Sequence, residues 1–231
     1  SDWAIANAVT VRGGVLELGN FSFTDVKTAS GYDGSAGGKP DDVVADAGKI
    51  DVKGGKLLVT GETFDLTKVT VAQDAGLEFN GQTIDADANG SAQWILLTTN
   101  NGGTVTLNKI SASNQTATAQ GSVLYLNGTS GTAGGSLAIT DSTFAANTSN
   151  FRSGAIEVNN SEYGKTHTAA VKIANSTFTG NKTVQVAGND TSRVAGAMMV
   201  RGANITIDNS TFTDNEVQTS DGFAEGGGAL Y

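Results

Sequence analysis

The sequence predicts an all-β fold, a right-handed parallel β-helix of about eight coils with loop insertions, and three observations carry that reading. A strand-turn unit returns three times, as Ser142-Thr143-Phe144-Ala145-Ala146-Asn147, Ser176-Thr177-Phe178-Thr179-Gly180-Asn181 and Ser210-Thr211-Phe212-Thr213-Asp214-Asn215. Apolar and polar residues alternate throughout, and no window of a dozen residues carries apolar positions at helical spacing. Thirty-one glycines, one proline (Pro40) and abundant Thr, Asn and Ser describe short strands joined by tight turns, since Gly and Asn tolerate positive φ while Thr and Val suit a pleated surface.

Each unit follows an alternating run, Leu137-Ala138-Ile139, Val171-Lys172-Ile173 or Ile205-Thr206-Ile207, and precedes a triplet, Gly154-Ala155-Ile156, Gly196-Ala197-Met198 or Gly228-Ala229-Leu230. The phenylalanines are 34 residues apart both times, yet the connections differ. Six residues separate Asn147 from Gly154 and fourteen separate Asn181 from Gly196, while the returns from Val158 to Ala170 and from Val200 to Asn204 take eleven and three. The strand-turn core is fixed and the connections vary, as expected of coils stacked on a common cross-section.

In chain order, residues 1–49 read as an N-terminal capping coil: 9–18 alternates and leads into Phe21-Ser22-Phe23, and 26–49 is an inserted Gly- and Asp-rich loop. Residues 50–104 read as short coils. Ile50/Val52 recur as Val69/Val71, Leu57/Val59 as Leu77/Phe79, and Phe64/Leu66 as Ile84, at separations of 19, 20 and 20, which implies three short strands per turn. Residues 105–231 read as longer coils of the Phe-x-x-Asn type within the same single domain, with Ile110 lying 34 before Phe144. Stacking should place Ile110, Phe144, Phe178 and Phe212 above one another at the ~4.8 Å strand spacing. Asn147, Asn181 and Asn215 should stack at the adjoining turn, and Gly154, Gly196 and Gly228 should leave room for the neighbouring corner.

A formal charge of −9 and a pI near 4.5 argue against nucleic acid or an anionic membrane surface as partner. No apolar stretch has bilayer-spanning length, and Ser1-Asp2-Trp3 does not open a signal peptide, so any such leader is expected to have been removed or to precede an excised piece. With no cysteine there are no disulfides, thiolate zinc sites or Cys nucleophiles.

Phe-x-x-Asn paired with Gly-Gly-Ala-Ile/Leu/Val resembles the repeat signature of the chlamydial polymorphic outer-membrane proteins, which are autotransporter passengers. Phe144/Asn147, Phe178/Asn181 and Phe212/Asn215 match the first motif; Gly227-Gly228-Ala229-Leu230 matches the second in full. Ser153-Gly154-Ala155-Ile156 and Ala195-Gly196-Ala197-Met198 match it with the first Gly replaced, so the resemblance covers about 137–231. It implies a β-helical adhesin or self-association module, extracellular on a bacterial surface and held by an outer-membrane β-barrel that this chain does not contain. The implied partners are a host cell-surface protein or glycan, or another copy of the chain, with membrane contact only through such a barrel.

Recognition is expected in the variable connections 148–153, 159–169, 182–195 and 216–227, where Arg152, Tyr163 and Arg193 supply hydrogen bonds and stacking surface. Asp85-x-Asp87-x-Asn89-Gly90 has the oxygen spacing that opens a calcium loop, although Leu96 stands at the twelfth position, where a bidentate Glu belongs; an Asp/Asn turn is the other reading. No other cofactor is expected. Asp41, Asp42 and Asp46 read as a solvated loop, and His167, the single histidine, has no partner set by spacing. A polysaccharide lyase or glycoside hydrolase is the enzymatic alternative, with Asp141, Glu157 and Asp208 as scattered carboxylates and Arg12, Arg152, Arg193 and Arg201 as scattered cations. A purely structural stalk is the third reading, and no catalytic residue is assigned.

Overall fold

The computed structural model describes residues 2–6, 8–24, 49–62, 64, 68–85, 95–97, 103–118, 121–128, 135–160, 169–185, 194–219 and 226–231. Among them the chain is all-β and helix-free, and its paired strands run parallel. The first strands are β1 (Asp2–Ala6), β2 (Ala8–Val11), β3 (Val15–Leu18), β4 (Asn20–Thr24), β5 (Lys49–Val52), β6 (Gly55–Val59), β7 (Lys68–Val71), β8 (Ala75–Asn80) and β9 (Thr83–Asp85). There follow β10 (Ile95–Leu97), β11 (Thr104–Asn108), β12 (Ser111–Ser113), β13 (Thr116–Ala117), β14 (Leu124–Gly128), β15 (Ser136–Thr140), β16 (Thr143–Ala145), β17 (Thr148–Ser149) and β18 (Ile156–Asn160). The last are β19 (Ala170–Ala174), β20 (Thr177–Thr179), β21 (Lys182–Gln185), β22 (Val194–Ala195), β23 (Met198–Arg201), β24 (Asn204–Asp208), β25 (Thr211–Thr213), β26 (Glu216–Thr219) and β27 (Gly226–Gly227).

These strands form seven sheets and not a single stack. The largest has the order β24-β19-β15-β11-β8-β6-β3, flanked by β25-β20-β16-β12-β9, β13-β17-β21-β26 and β10-β14-β18-β23. The remaining three are β2-β5-β7, β1-β4 and β22-β27. The inward residues of the largest sheet form an apolar column, Leu57/Val59, Leu77/Phe79, Val105/Leu107, Leu137/Ile139 and Val171/Ile173, with each pair in register with the next. All of them are at most 1% exposed, so the alternation of period two that marks these runs is the alternation between core and surface. Ile50 and Val52 pair with Val69 and Val71, as the spacing predicts. Phe64 bridges Phe21 and lies 5.3 Å, centroid to centroid, from Phe79, while Leu66 lies outside the described residues, as does most of the inserted loop 26–49.

Two expectations are corrected. Ile110 does not join the phenylalanine column, because β12 and β16 pair Ala112 with Phe144. The Ile110 N–H instead meets the Ser142 hydroxyl at 3.0 Å, in a column continued by Ser142 N–H on Ser176 Oγ and Ser176 N–H on Ser210 Oγ. The repeat therefore shortens by two residues at this point. Second, each later repeat carries a fourth strand. Residues 148–149, 182–185 and 216–219, expected in loops, are β17, β21 and β26.

Phe144, Phe178 and Phe212 stack as the repeat predicts, with centroids 4.8 and 4.6 Å apart. Phe144 and Phe178 are sealed, whereas Phe212, on terminal strand β25, has a neighbour on one side among the described residues and is half-buried. Beside them the asparagines form a hydrogen-bonded column. Asn147 Nδ2 donates to Asn181 Oδ1 and Asn181 Nδ2 to Asn215 Oδ1, both at 2.9 Å, and Asn181 and Asn215 also donate to the carbonyls of Phe144 and Phe178. Each Asn Oδ1 accepts the backbone N–H of the repeat before it: Gln115 on Asn147, Asn147 on Asn181 and Asn181 on Asn215. A side chain with both donor and acceptor capacity satisfies the corner inside a dry stack, where an unmet polar group would be penalised.

Chain reversal at the corners uses left-handed backbone at two positions per repeat. Lys109, Asp141, Asn175 and Asn209 occupy one, with φ from 42 to 54°, and Asn114, Ala146, Gly180 and Asp214 the other. The glycines of the triplets act differently. A Cβ at Gly154 would run into the Gly196 carbonyl oxygen, and one at Gly196 into that of Gly228, whereas at Gly228 the nearest atom is the Asn215 carbonyl oxygen at an ordinary 3.5 Å. Gly196→Ala is therefore expected to lower stability by about 1–3 kcal/mol through backbone displacement, and Gly228→Ala by much less, measured side by side in urea melts.

Candidate functional site

Strands β14, β18 and β23 read Leu124-Tyr125-Leu126, Ile156-Glu157-Val158 and Met198-Met199-Val200. Their register places Tyr125, Glu157 and Met199 in one row and Asn159 beside Arg201 in the next. Alternation turns Ile156 and Val158 into the core and Glu157 and Asn159 away from it. An outward Glu is ordinarily solvated, yet every residue of β18 is buried and Glu157 is 0% exposed. Strands covered on both faces occur in parallel sheets, but they are usually apolar on both.

Among the described residues the buried carboxylate has one weak hydrogen-bond partner. Arg152, from the turn before β18, places Nη1 3.4 Å from Glu157 Oε1, while its guanidinium lies 4.9 Å from the Phe151 ring centroid. Glu157 Oε2 and Asn159 Oδ1 have no hydrogen-bond partner among the described residues. Burial raises the Glu157 carboxyl to about 7, against the opposing pull of Arg152 and, further off, Arg201. The Tyr125 hydroxyl is raised as well, first by burial and then by the Glu157 charge. The arrangement can hold or release one proton near neutral pH on a buried carboxyl beside partly exposed Tyr125 and Arg152.

As a catalytic site it is incomplete among the described residues. Glycoside hydrolysis needs a second carboxylate across the scissile bond, and the in-register neighbours of Glu157 on the adjoining strands are Tyr125 and Met199. Asp141 and Asp208 are on a different sheet's corners: Asp141 Oδ1 accepts from Asn175 Nδ2 at 3.2 Å, and Asp208 ends β24.

Of the predicted site residues, the structure brings together Phe144, Phe178 and Phe212, and Asn147, Asn181 and Asn215, in two structural columns. Asp85 ends β9, and its Oδ1 accepts from Asn114 Nδ2 at 3.1 Å, a bond between corners. Asp87 and Asn89, the other calcium-loop oxygens, lie outside the described residues, as do Tyr163, Arg193 and His167. Among the described residues no cluster of His, Cys, Asp or Glu could hold a metal ion. Arg152, one of the expected recognition residues, lies in the turn before β18, partly exposed, with its guanidinium against Glu157. The burial of Glu157 and the roles of Tyr125, Asn159 and Arg201 were missed by sequence reasoning. The available signal is Met199, an apolar residue at an outward position, which marks that face as covered.

No family model matches the chain, and neither a curated protein nor a solved structure does.

Proposed function

We propose that this chain is a right-handed parallel β-helix segment of an autotransporter-type passenger, acting on a bacterial surface as an adhesin or self-association module. One observation carries the reading: three Phe-x-x-Asn repeats pair in register on β16-β20-β25 and again on β15-β19-β24, while the segments between their strands differ in length. Such a frame fixes its cross-section and leaves its connections free to vary for recognition. Right-handedness follows the rule for parallel crossovers. Each strand in this frame meets the strand one coil on, so the separate sheets would be its faces.

The partner is a host surface protein or glycan, or another copy. Low affinity per site would be multiplied by display in many copies. A polysaccharide-processing enzyme, the alternative function, would draw on Glu157 as a general acid near pH 7. Its burial speaks against that use.

The test is attachment of beads coated with the 231-residue chain to cultured epithelial cells. Replacing 161–168 and 186–193 by short Gly-Ser linkers, with every described strand kept, should reduce attachment severalfold. Undiminished attachment would move recognition to the strand faces, and absence of attachment by the intact chain would remove the adhesin reading.

A further inference from the structure

We propose that Glu157, Asn159 and Tyr125 form a proton-operated switch, in which the Asn159 amide turns over when Glu157 gains or loses its proton. Two buried acceptors point to it. Glu157 is 0% exposed and Asn159 8%, and neither Glu157 Oε2 nor Asn159 Oδ1 has a hydrogen-bond partner among the described residues. The two residues stand two apart on β18, so they project from the same face of the strand roughly 7 Å apart, a gap that a Glu and an Asn side chain can close between them. Two buried acceptors without a donor are penalised, and a proton on Oε2 supplies the missing donor.

Among the described residues, the groups around Glu157 are Tyr125 on β14, Met199 and Arg201 on β23 and Arg152 in the turn before β18. Met199 has no polar hydrogen, Arg152 lies against Oε1, and Arg201 acts through its charge from further off. The Asn159 side chain also hydrogen-bonds the Tyr125 hydroxyl, in the sense that favours loss of the phenolic proton, which is that of an N–H donating to the phenolic oxygen. With Glu157 protonated, the network closes in one direction: Glu157 Oε2–H donates to Asn159 Oδ1, and Asn159 Nδ2–H donates to Tyr125 Oη. When the proton leaves to solvent, the same three groups close only in reverse. The Asn159 amide makes a half turn, Nδ2–H donates to the Oε2 carboxylate oxygen, and the Tyr125 O–H donates to Oδ1. A primary amide has a donor end and an acceptor end of nearly equal shape, so both orientations fit the same space and the proton selects between them. Burial raises the Glu157 carboxyl to about 7, so the first arrangement holds below neutral pH and the second above it. The switch reaches the surface because Tyr125 and Arg152 are partly exposed. Below neutral pH the Tyr125 O–H can donate to an outside acceptor and the Arg152 charge lies against a neutral acid; above it, both are engaged with β18.

The test is a nuclear magnetic resonance titration of the isotope-labelled 231-residue chain from about pH 5 to about pH 9. The Glu157 carboxyl carbon should titrate with its midpoint near 7, and the Asn159 side-chain amide and Tyr125 ring signals should move with the same midpoint. Over that transition, cross-peaks from the Asn159 Hδ2 protons should pass from the Tyr125 ring to the Glu157 Hγ protons, which a change of charge alone would not bring about. Glu157→Gln, whose amide N–H donates to Asn159 Oδ1 at every pH, should keep the acid-form Asn159 and Tyr125 signals throughout. A Glu157 carboxyl ionised over the whole range, as it would be if a buried water bridged it to Asn159, would overturn the proposal. So would a Glu157 that titrates while the Asn159 cross-peaks stay where they are. Both readings come from the parent chain, so the outcome does not depend on how the variant folds.

Discussion

Phe178→Ala is expected to destabilise the chain by about 3–5 kcal/mol, the largest effect of any single truncation in the stack. Phe178 is 0% exposed and is the only described phenylalanine stacked on both faces within 5 Å, by Phe144 at 4.8 Å and Phe212 at 4.6 Å. Truncation deletes the ring and leaves a void whose walls are held apart by the hydrogen bonds of β16, β20 and β25, so collapse is limited. Phe212→Ala, made on the half-buried end ring, should have a clearly smaller effect because one of its faces has no such wall among the described residues. Urea titrations of the two variants measure the difference. Equal losses would mean that the column does not behave as a packed stack.

The second large effect is a dependence of stability on pH that a single side chain controls. Glu157 titrates near 7 in the fold and near its ordinary 4.5 when unfolded. Below about 4.5 both states hold the proton and pH has no leverage through this group. Between 4.5 and 7 the unfolded state releases the proton first, so stability falls as pH rises, and above 7 the deficit levels off at about 3 kcal/mol. Glu157→Gln, which is always neutral, should therefore match the parent near pH 4.5 and exceed it at pH 8 by up to that amount. Melts at both pH values give the comparison, and a parallel pH response in the two proteins would refute the assignment. Arg152→Met should act in the opposite sense at pH 8, because it removes the weak guanidinium contact that offsets burial of the charge.

What the sequence made legible was whatever repeated in side chains of strong character. The Phe and Asn columns, the aliphatic pairs and the glycine corners were found because large apolar, amide or absent side chains recur at fixed offsets. The fourth strand of the repeats was not, because its inward positions before Val217 are small or polar. Ala117, Ser149 and Thr183 fill that part of the core, and Thr183 is accommodated by donating its hydroxyl to the Ala195 carbonyl at 2.6 Å. Ile110 misled for a related reason: counting 34 back from Phe144 lands on an apolar residue, while the true partner is Ala112, too small to signal a column. Glu157 was legible only as one of three scattered carboxylates, and its burial was not, because alternation alone cannot tell a solvated outer face from a covered one.

The columns also restrict how such a chain can change in length. Asn181 accepts from Asn147 and donates to the repeat after it, and Ser176 relates to Ser142 and Ser210 in a similar chain, so every interior copy presents the same donors and acceptors to both neighbours. Loss or gain of one whole unit restores the phase of every column at once, whereas one or two residues added inside a strand core would shift all of them. The shorter step at Ala112 shows where such a change is tolerated, since its two-residue deficit falls after Gly128 and before Ser136, beyond both the phenylalanine and asparagine positions. Length polymorphism in a lineage of such chains is thus predicted to occur in whole units or between strands, leaving the hydrogen-bonded columns intact.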